Sequence, residues 1–179
     1  MSEQRFSLMP FPSARLLPHI EITGGIVRRL NTLSLRYTLL GPLGELTIPA
    51  QADRPGRKNG LWEETCFELF LGEKKSDHYL EFNLSPSGNW NVYRFTSYRE
   101  GMIEEPAFAS LPFHIEVRQD SLTLSLEFGL DRIVPVGKAL EVAISAVVKT
   151  IAGGVSYWAL VHPGPQPDFH RRDGFILEV

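Results

Sequence analysis

The chain of 179 residues has a single cysteine, Cys66, which excludes an internal disulfide and any zinc site built from several thiolates. It has no excess of basic charge. Eighteen Lys and Arg stand against 21 Asp and Glu, a formal charge of −3, so nothing drives the chain toward nucleic acid or an anionic membrane. No stretch approaches the roughly 18 uninterrupted apolar residues of a membrane span. The start, MSEQRFSLMPFPSARLL, lacks a basic segment followed by an apolar run and so lacks the form of a secretory signal. Together with the lone thiol, this makes a cytoplasmic location the expectation. Helical periodicity is almost absent. There is no G-x-S-x-G nucleophile elbow. Gly153-Gly154 has neither a further glycine nor a following helix, which excludes a phosphate loop.

What the sequence does contain is alternation. Hydrophobic content of 43% and aromatic content of 11% suffice for the core of one domain over residues 1–179. Apolar and polar residues alternate in short runs, with turn residues every 8–12 positions, as in Leu33–Leu39, Leu122–Phe128 and Ala139–Lys149. About ten strands result, and the class is all-β, with a two-sheet antiparallel sandwich the best architecture and a closed barrel the alternative. Residues 1–18, with Pro10, Pro12 and Pro18, read as an irregular lead-in or an extended edge segment. Residues 20–29 read as a strand broken at Gly24-Gly25. Residues 50–60, AQADRPGRKNG, read as a mobile polar loop whose Arg54, Arg57 and Lys58 are solvated.

The densest chemistry lies between Leu61 and Met102. Three strands are expected there, near Glu64–Leu71, His78–Leu84 and Trp90–Tyr98, joined by a polar turn and by Ser85-Pro86-Ser87-Gly88. Period-two alternation puts Phe67, Leu69, Leu71, Leu80, Phe82, Leu84, Tyr93 and Phe95 on an inner wall. It puts Glu64, Cys66, Glu68, Tyr79, Glu81, Asn83, Trp90, Val92, Arg94 and Thr96 on the other face. That second face mixes acids, an amide, an arginine and large aromatics, the composition of a polar-ligand surface. Ordinary cross-strand pairing of Arg94 with Glu81 or Glu68 accounts for the same residues without a ligand.

Catalytic and metal readings are weaker. Ser85 and Ser87 flank Pro86 in a turn, and Cys66 lies inside a strand with no histidine beside it. His162 and His170 are eight apart, a spacing that permits a ligand pair without being diagnostic of one, so no metal site is assigned; an Asp168–His170 contact that orders the loop is the simpler reading. Glu64, Glu68 and Glu81 share a face, which keeps a glycosidase-type hydrolase open as a lesser alternative.

The aromatics point to sugars, whose rings present apolar faces to flat side chains while their hydroxyls bond to acids, amides and arginines. Trp62 and Trp90 fall near strand ends. Trp158, inside a strand, reads as core.

The runs LWEETCFELF, YLEFNLSPSG and YREGM, with YWAL, His162 and PDFH near the C-terminus, resemble the DOMON-like proteins, which are grouped with the family-nine carbohydrate-binding modules. The resemblance implies an immunoglobulin-like sandwich that binds a sugar or haem and lacks catalysis of its own. In the sugar-binding modules two aromatics sandwich a terminal sugar, assisted by acidic, amide and arginine side chains. Trp62 matches the first aromatic, Glu63 or Glu64 the acid after it, and Asn83 the amide; Trp90, Trp158 and Phe169 compete for the second aromatic. For haem, the resemblance implies a Met and a His as axial ligands, which here would be Met102 with His162 or His170.

The expected function is therefore a non-catalytic binding domain for a small saccharide or glycoconjugate. Trp62 and Trp90 would stack, and Glu64, Glu81, Asn83, Arg94 and Arg99 would bond to hydroxyls. The loop bearing His162, Asp168 and His170 would close the site. No cofactor is expected; a haem domain is the alternative. Exposed sheet edges permit a homodimer.

Overall fold

A computed structural model describes residues 2–13, 18–131, 133–135 and 137–179. The described chain holds twelve strands. They are β1 (Gln4–Pro10), β2 (Glu21–Arg29), β3 (Thr32–Leu40), β4 (Cys66–Glu73), β5 (Tyr79–Leu84) and β6 (Trp90–Phe95), then β7 (Ile103–Glu104), β8 (Phe113–Val117), β9 (Ser121–Gly129), β10 (Leu140–Lys149), β11 (Val155–Ala159) and β12 (Leu177–Glu178). Every named pairing is antiparallel.

The strands form one continuous ladder, β7-β6-β5-β4-β10-β11-β1-β2-β3-β9-β8, with β12 added along β10. The all-β class is as expected, but the hydrogen-bonded sheet is single and curled where two sheets were expected. The seam is β1. Gln4–Leu8 pair with β2, while Met9 and Pro10 pair with β11. The lead-in, expected to be irregular or an edge segment, is an interior strand that joins the two halves of the ladder. Prolines at a strand end, where no ladder N–H is required, are compatible with this role. The expected break at Gly24-Gly25 is also absent, since β2 runs through both residues. Phe6 lies opposite Gly24, and a Cβ there would collide with the Phe6 ring and with the Arg36 carbonyl. The glycine makes room for the aromatic rather than ending the strand.

The inner faces of the two halves share one core. Tyr37 on β3 lies 5.0 Å from the Phe67 ring on β4 and donates a hydrogen bond to the Glu68 carbonyl at 2.6 Å. Phe82 on β5 lies 4.8 Å from Phe128 on β9. Burying side chains such as Phe67, Leu69, Phe82, Leu122 and Leu124 completely stabilises the fold by about 1.5–3 kcal/mol each.

The pairing of β5 with β6 corrects the expected sidedness of the third central strand. Phe82 faces Val92 and Leu84 faces Trp90, while Glu81 faces Tyr93 and Asn83 faces Asn91. Trp90 and Val92 are therefore core, and Tyr93 and Phe95 lie on the outer face. A shift of one residue turns every side chain over. The run WNVYRF has aromatics at both parities, so alternation alone does not choose between the two faces.

Residues 50–60 are tied down, not mobile. Ala52 bonds to Ser87, Trp90 to Gly56 and Lys58 to Trp90 through the backbone. Arg57, expected to be solvated, lies 4.5 Å over the Trp90 ring. It also donates to Asn91 Oδ1 and to the carbonyls of Glu105 and Phe108.

Candidate functional site

The outer face of β6-β5-β4-β10-β11 carries the site. β4 and β5 are buried on both faces, so their polar alternation leaves carboxylates and amides out of bulk water. Glu68 on β4 and Glu81 on β5 are only 3% and 5% exposed. Glu68 Oε2 accepts from Ser145 Oγ at 3.1 Å, and Glu81 Oε1 accepts from Asn83 Nδ2 at 2.8 Å. Among the described residues, Glu68 Oε1 and Glu81 Oε2 accept no hydrogen bond, and both side chains line an open groove. Burial pushes the Glu68 carboxyl up, with the neighbouring Glu81 adding to it; burial likewise pushes Glu81 up. At neutral pH the pair thus retains protons that ordinary carboxyls would have lost.

A second cluster closes one end. The turn after β6 returns on itself through Glu100, which bonds to Ser97, and it places Arg99 in the left-handed region at φ 57°. That conformation is costly for a residue with a Cβ. It aims the Arg99 backbone N–H at the Tyr79 hydroxyl (3.1 Å) and the guanidinium at Asp168 Oδ1 (3.0 Å). The second Asp168 oxygen accepts from the Tyr98 hydroxyl. Burial works against the Asp168 charge, yet the hydrogen bonds from Tyr98 and Arg99 outweigh it and hold this acid below its ordinary value.

His170 follows from the same loop. Its Nδ1 lies 2.8 Å from the Tyr79 hydroxyl. Because that hydroxyl already accepts from Arg99, the matching arrangement has Tyr79 donating to Nδ1. Nε2 then carries the proton and faces Glu81 Oε2 at 3.8 Å. Burial first, and then the nearby Arg99, holds the imidazole down to about 4. It is a neutral donor at physiological pH.

Arg172 fastens this loop to the sheet. It lies 4.4 Å over the Phe175 ring and donates to the Glu73 carbonyl and to Glu141 at 2.6 Å. The guanidinium occupies the space that a Cβ at Gly72 would fill.

Aromatic side chains make the walls. Trp62, on the short 3-10 turn Leu61–Glu63, is 38% exposed and meets Tyr93 edge-on at 5.8 Å. Tyr157 on β11 is equally exposed and meets Phe169 at 6.2 Å. Phe95 and Met102 complete the lining of a groove of about 350 Å³. Beneath it, Tyr79 stacks on Phe95 at 4.8 Å, with their planes 6° apart. Rigid rings of this kind hold a binding surface in place without loss of side-chain entropy on binding.

Of the residues singled out in the sequence, Trp62, Glu81, Arg99 and His170 line the groove. Asp168 holds Arg99, and Asn83 holds Glu81 from a fully buried position. Four others lie elsewhere. Trp90 is in the core beneath Arg57. Arg94 follows it to the inner side and pairs with Glu105 at 3.7 Å. Glu64 ends the turn that bears Trp62 and is exposed outside the groove lining. His162 bonds through Nε2 to the Met9 carbonyl (2.9 Å) and meets Phe11 edge-on. Of the three candidates for a second aromatic, Trp90 and Trp158 are core and Phe169 lines the groove.

Tyr157, missed in the sequence, had a signal. In a strand, an inward Trp158 obliges its neighbour to point outward. Glu68 was placed on the correct face but passed over. Tyr79, which sets the tautomer of His170, was placed on the polar face and opens the run YLEFNLSPSG, but nothing in that run pointed to a contact with His170.

No family model matches the chain, and no curated protein matches it in sequence. Solved structures share its fold. One is a candidate carbohydrate-binding protein from Bacteroides uniformis, with a TM-score of 0.71 at 15% identity over 97% of this chain and 83% of that one. Another is a family-nine carbohydrate-binding module from Caldicellulosiruptor kristjanssonii in complex with glucose. It has a TM-score of 0.50 at 10% identity, over 84% of this chain and 71% of that one. The fold is therefore one that carbohydrate-binding proteins use, related to that of the family-nine modules.

Proposed function

We propose that the chain binds a small saccharide in the groove between Trp62 and Tyr157, without transforming it. The observation that carries this reading is the pairing of two exposed aromatic walls with a floor of preset donors and acceptors. The apolar faces of a sugar ring would lie against the walls. Its hydroxyls would meet the open oxygens of Glu68 and Glu81, the Nε2–H of His170 and the Arg99 guanidinium. The glucose complex of the structural neighbour supports a sugar as the ligand class.

The geometry favours binding over hydrolysis. Glu68 and Glu81 rise from adjacent strands and approach a ligand from the same side, whereas glycosidic cleavage uses carboxyl groups that flank the bond. Haem fits poorly. Met102 and His170 do line the groove together, but two carboxylates with open oxygens form its floor, and a porphyrin would bring an apolar face and further negative charge to them.

Titration of the full chain with monosaccharides, followed by calorimetry, tests the reading. Trp62→Ala is expected to remove most of the affinity and to leave the folded state intact. Unchanged affinity in that variant would contradict the assignment.

A further inference from the structure

The charges of the groove do not balance. Arg99 is the one cationic side chain lining it among the described residues, and Asp168 already holds that cation at 3.0 Å. His170 faces Glu81 as a neutral ring. Two carboxylates are left without a cation in contact, each buried and each with one oxygen open to the groove; the more distant Arg99 charge reaches both and offsets only part of the cost of burial. Their other neighbours do not supply a cation: on β4 Cys66, on β3 Tyr37 and on β10 Ser145 beside Glu68; on β5 Tyr79 and Asn83, and on β6 Tyr93, beside Glu81. A buried carboxylate lacking a partner either keeps a proton or waits for a positive group. The walls suit a positive group, because the faces of Trp62 and Tyr157 attract an ammonium as well as a sugar ring.

We infer that the groove selects a saccharide carrying a protonated amino group, such as a 2-amino-2-deoxyhexose, and seats the ammonium between Glu68 and Glu81. The inference rests on the saccharide reading and narrows it. Neutral sugars would enter the same groove and leave the acid pair protonated. An amino sugar would take the place of that proton, which passes to solvent. No bond is made or broken; one proton leaves the protein as one cation arrives. The raised values of the two carboxyls agree with this exchange.

Calorimetric titration of the full chain tests the idea near neutral pH. The ligands are glucose, galactose and mannose, each with its 2-amino and its N-acetylamino counterpart. At least one 2-amino sugar is expected to bind on the order of tenfold more tightly than both its parent and its N-acetyl form, since a charge-assisted pair replaces a neutral one. Its binding heat should change with the ionisation heat of the buffer, reporting the released proton. Glu81→Gln and Glu68→Gln should each lower the ratio of amino-sugar to neutral-sugar affinity several-fold, whatever each does to the affinity for neutral sugars. Equal or tighter binding of the neutral sugars overturns the amine inference and leaves the saccharide reading in place. Binding of an amino sugar without proton release also overturns it. Silence across the whole panel overturns the saccharide reading, and this inference with it.

Discussion

The Tyr79 hydroxyl lies 2.8 Å from His170 Nδ1. That contact joins the start of β5 to a loop 91 residues further along the chain, and it decides which ring nitrogen of His170 carries the proton. Tyr79→Phe would free the imidazole to turn and would leave the Arg99 N–H without its acceptor. The variant should lose about 1–3 kcal/mol of stability for the two hydrogen bonds removed, read from denaturant unfolding, and should bind ligand more weakly than the wild type.

The two tryptophans separate binding from folding. Trp62 is at the groove with one edge contact, whereas Trp90 is 5% exposed beneath Arg57. Trp90→Ala should cost about 3–5 kcal/mol of stability, the usual range for removing a buried aromatic. Trp62→Ala should cost far less and instead reduce binding. Thermal melts of the two variants, compared with their affinities, check this. A Trp90→Ala variant that melts like the wild type would mean that the tryptophan is not core.

Much of this was legible in the sequence, and the exceptions have identifiable causes. The all-β class followed from alternation, because residues such as Leu33, Leu35 and Leu39 have no other way to share a face. The acids of β4 and β5 were placed correctly since Phe67, Leu69 and Leu71, like Leu80, Phe82 and Leu84, make an unbroken apolar row at the other parity. The face of β6 was not decidable from WNVYRF, where the register with β5 chooses. That register is a long-range fact, and it moved Trp90 and Arg94 out of the site. The role of β1 was hidden because a strand-bearing segment rich in proline reads as irregular. Arg99 and His170 were picked out in the sequence, but the Tyr79 hydroxyl that joins them was not, because that contact depends on how a loop near the C-terminus docks, which is fixed by Arg172 over Gly72.

That docking gives a prediction. Gly72→Ala would place a methyl group where the Arg172 guanidinium lies. The long side chain can move aside, so the melting temperature should change little. Arg172 would leave Glu141 and Phe175, however, and the loop carrying Asp168, Phe169 and His170 would lose its fastening. Ligand affinity should fall several-fold even though Gly72 does not line the groove. Affinity equal to that of the wild type would show that Arg172 does not position the loop.

Stability should depend on pH in a direction set by the buried acids. Glu68 and Glu81 are pushed up to about 8 and about 7 from an ordinary 4.5, so the folded state binds more protons than the unfolded one as pH rises through that range. Their contribution is fully present below about 4.5 and is lost by about pH 8. His170 works the other way, with its contribution present above 6.5 and lost as pH falls toward 4. Between about pH 6.5 and 8 only the acids act, so the melting temperature should decline there, by on the order of 1 kcal/mol of stability per pH unit for each group while it titrates. Glu68→Gln and Glu81→Gln should each flatten that decline. A melting temperature constant across the window would contradict the assignment of the acids.

A saccharide that occupies the groove against Trp62 is read directly by tryptophan emission. Trp62 is the partly exposed member of the three, while Trp90 and Trp158 are both buried. A saturable change in emission is expected as a saccharide is added to the wild-type chain, with no change in Trp62→Phe, whose remaining tryptophans still report a folded core. The same saturable change in Trp62→Phe, or none in the wild type with any sugar of the panel, would contradict occupancy of the groove by a saccharide.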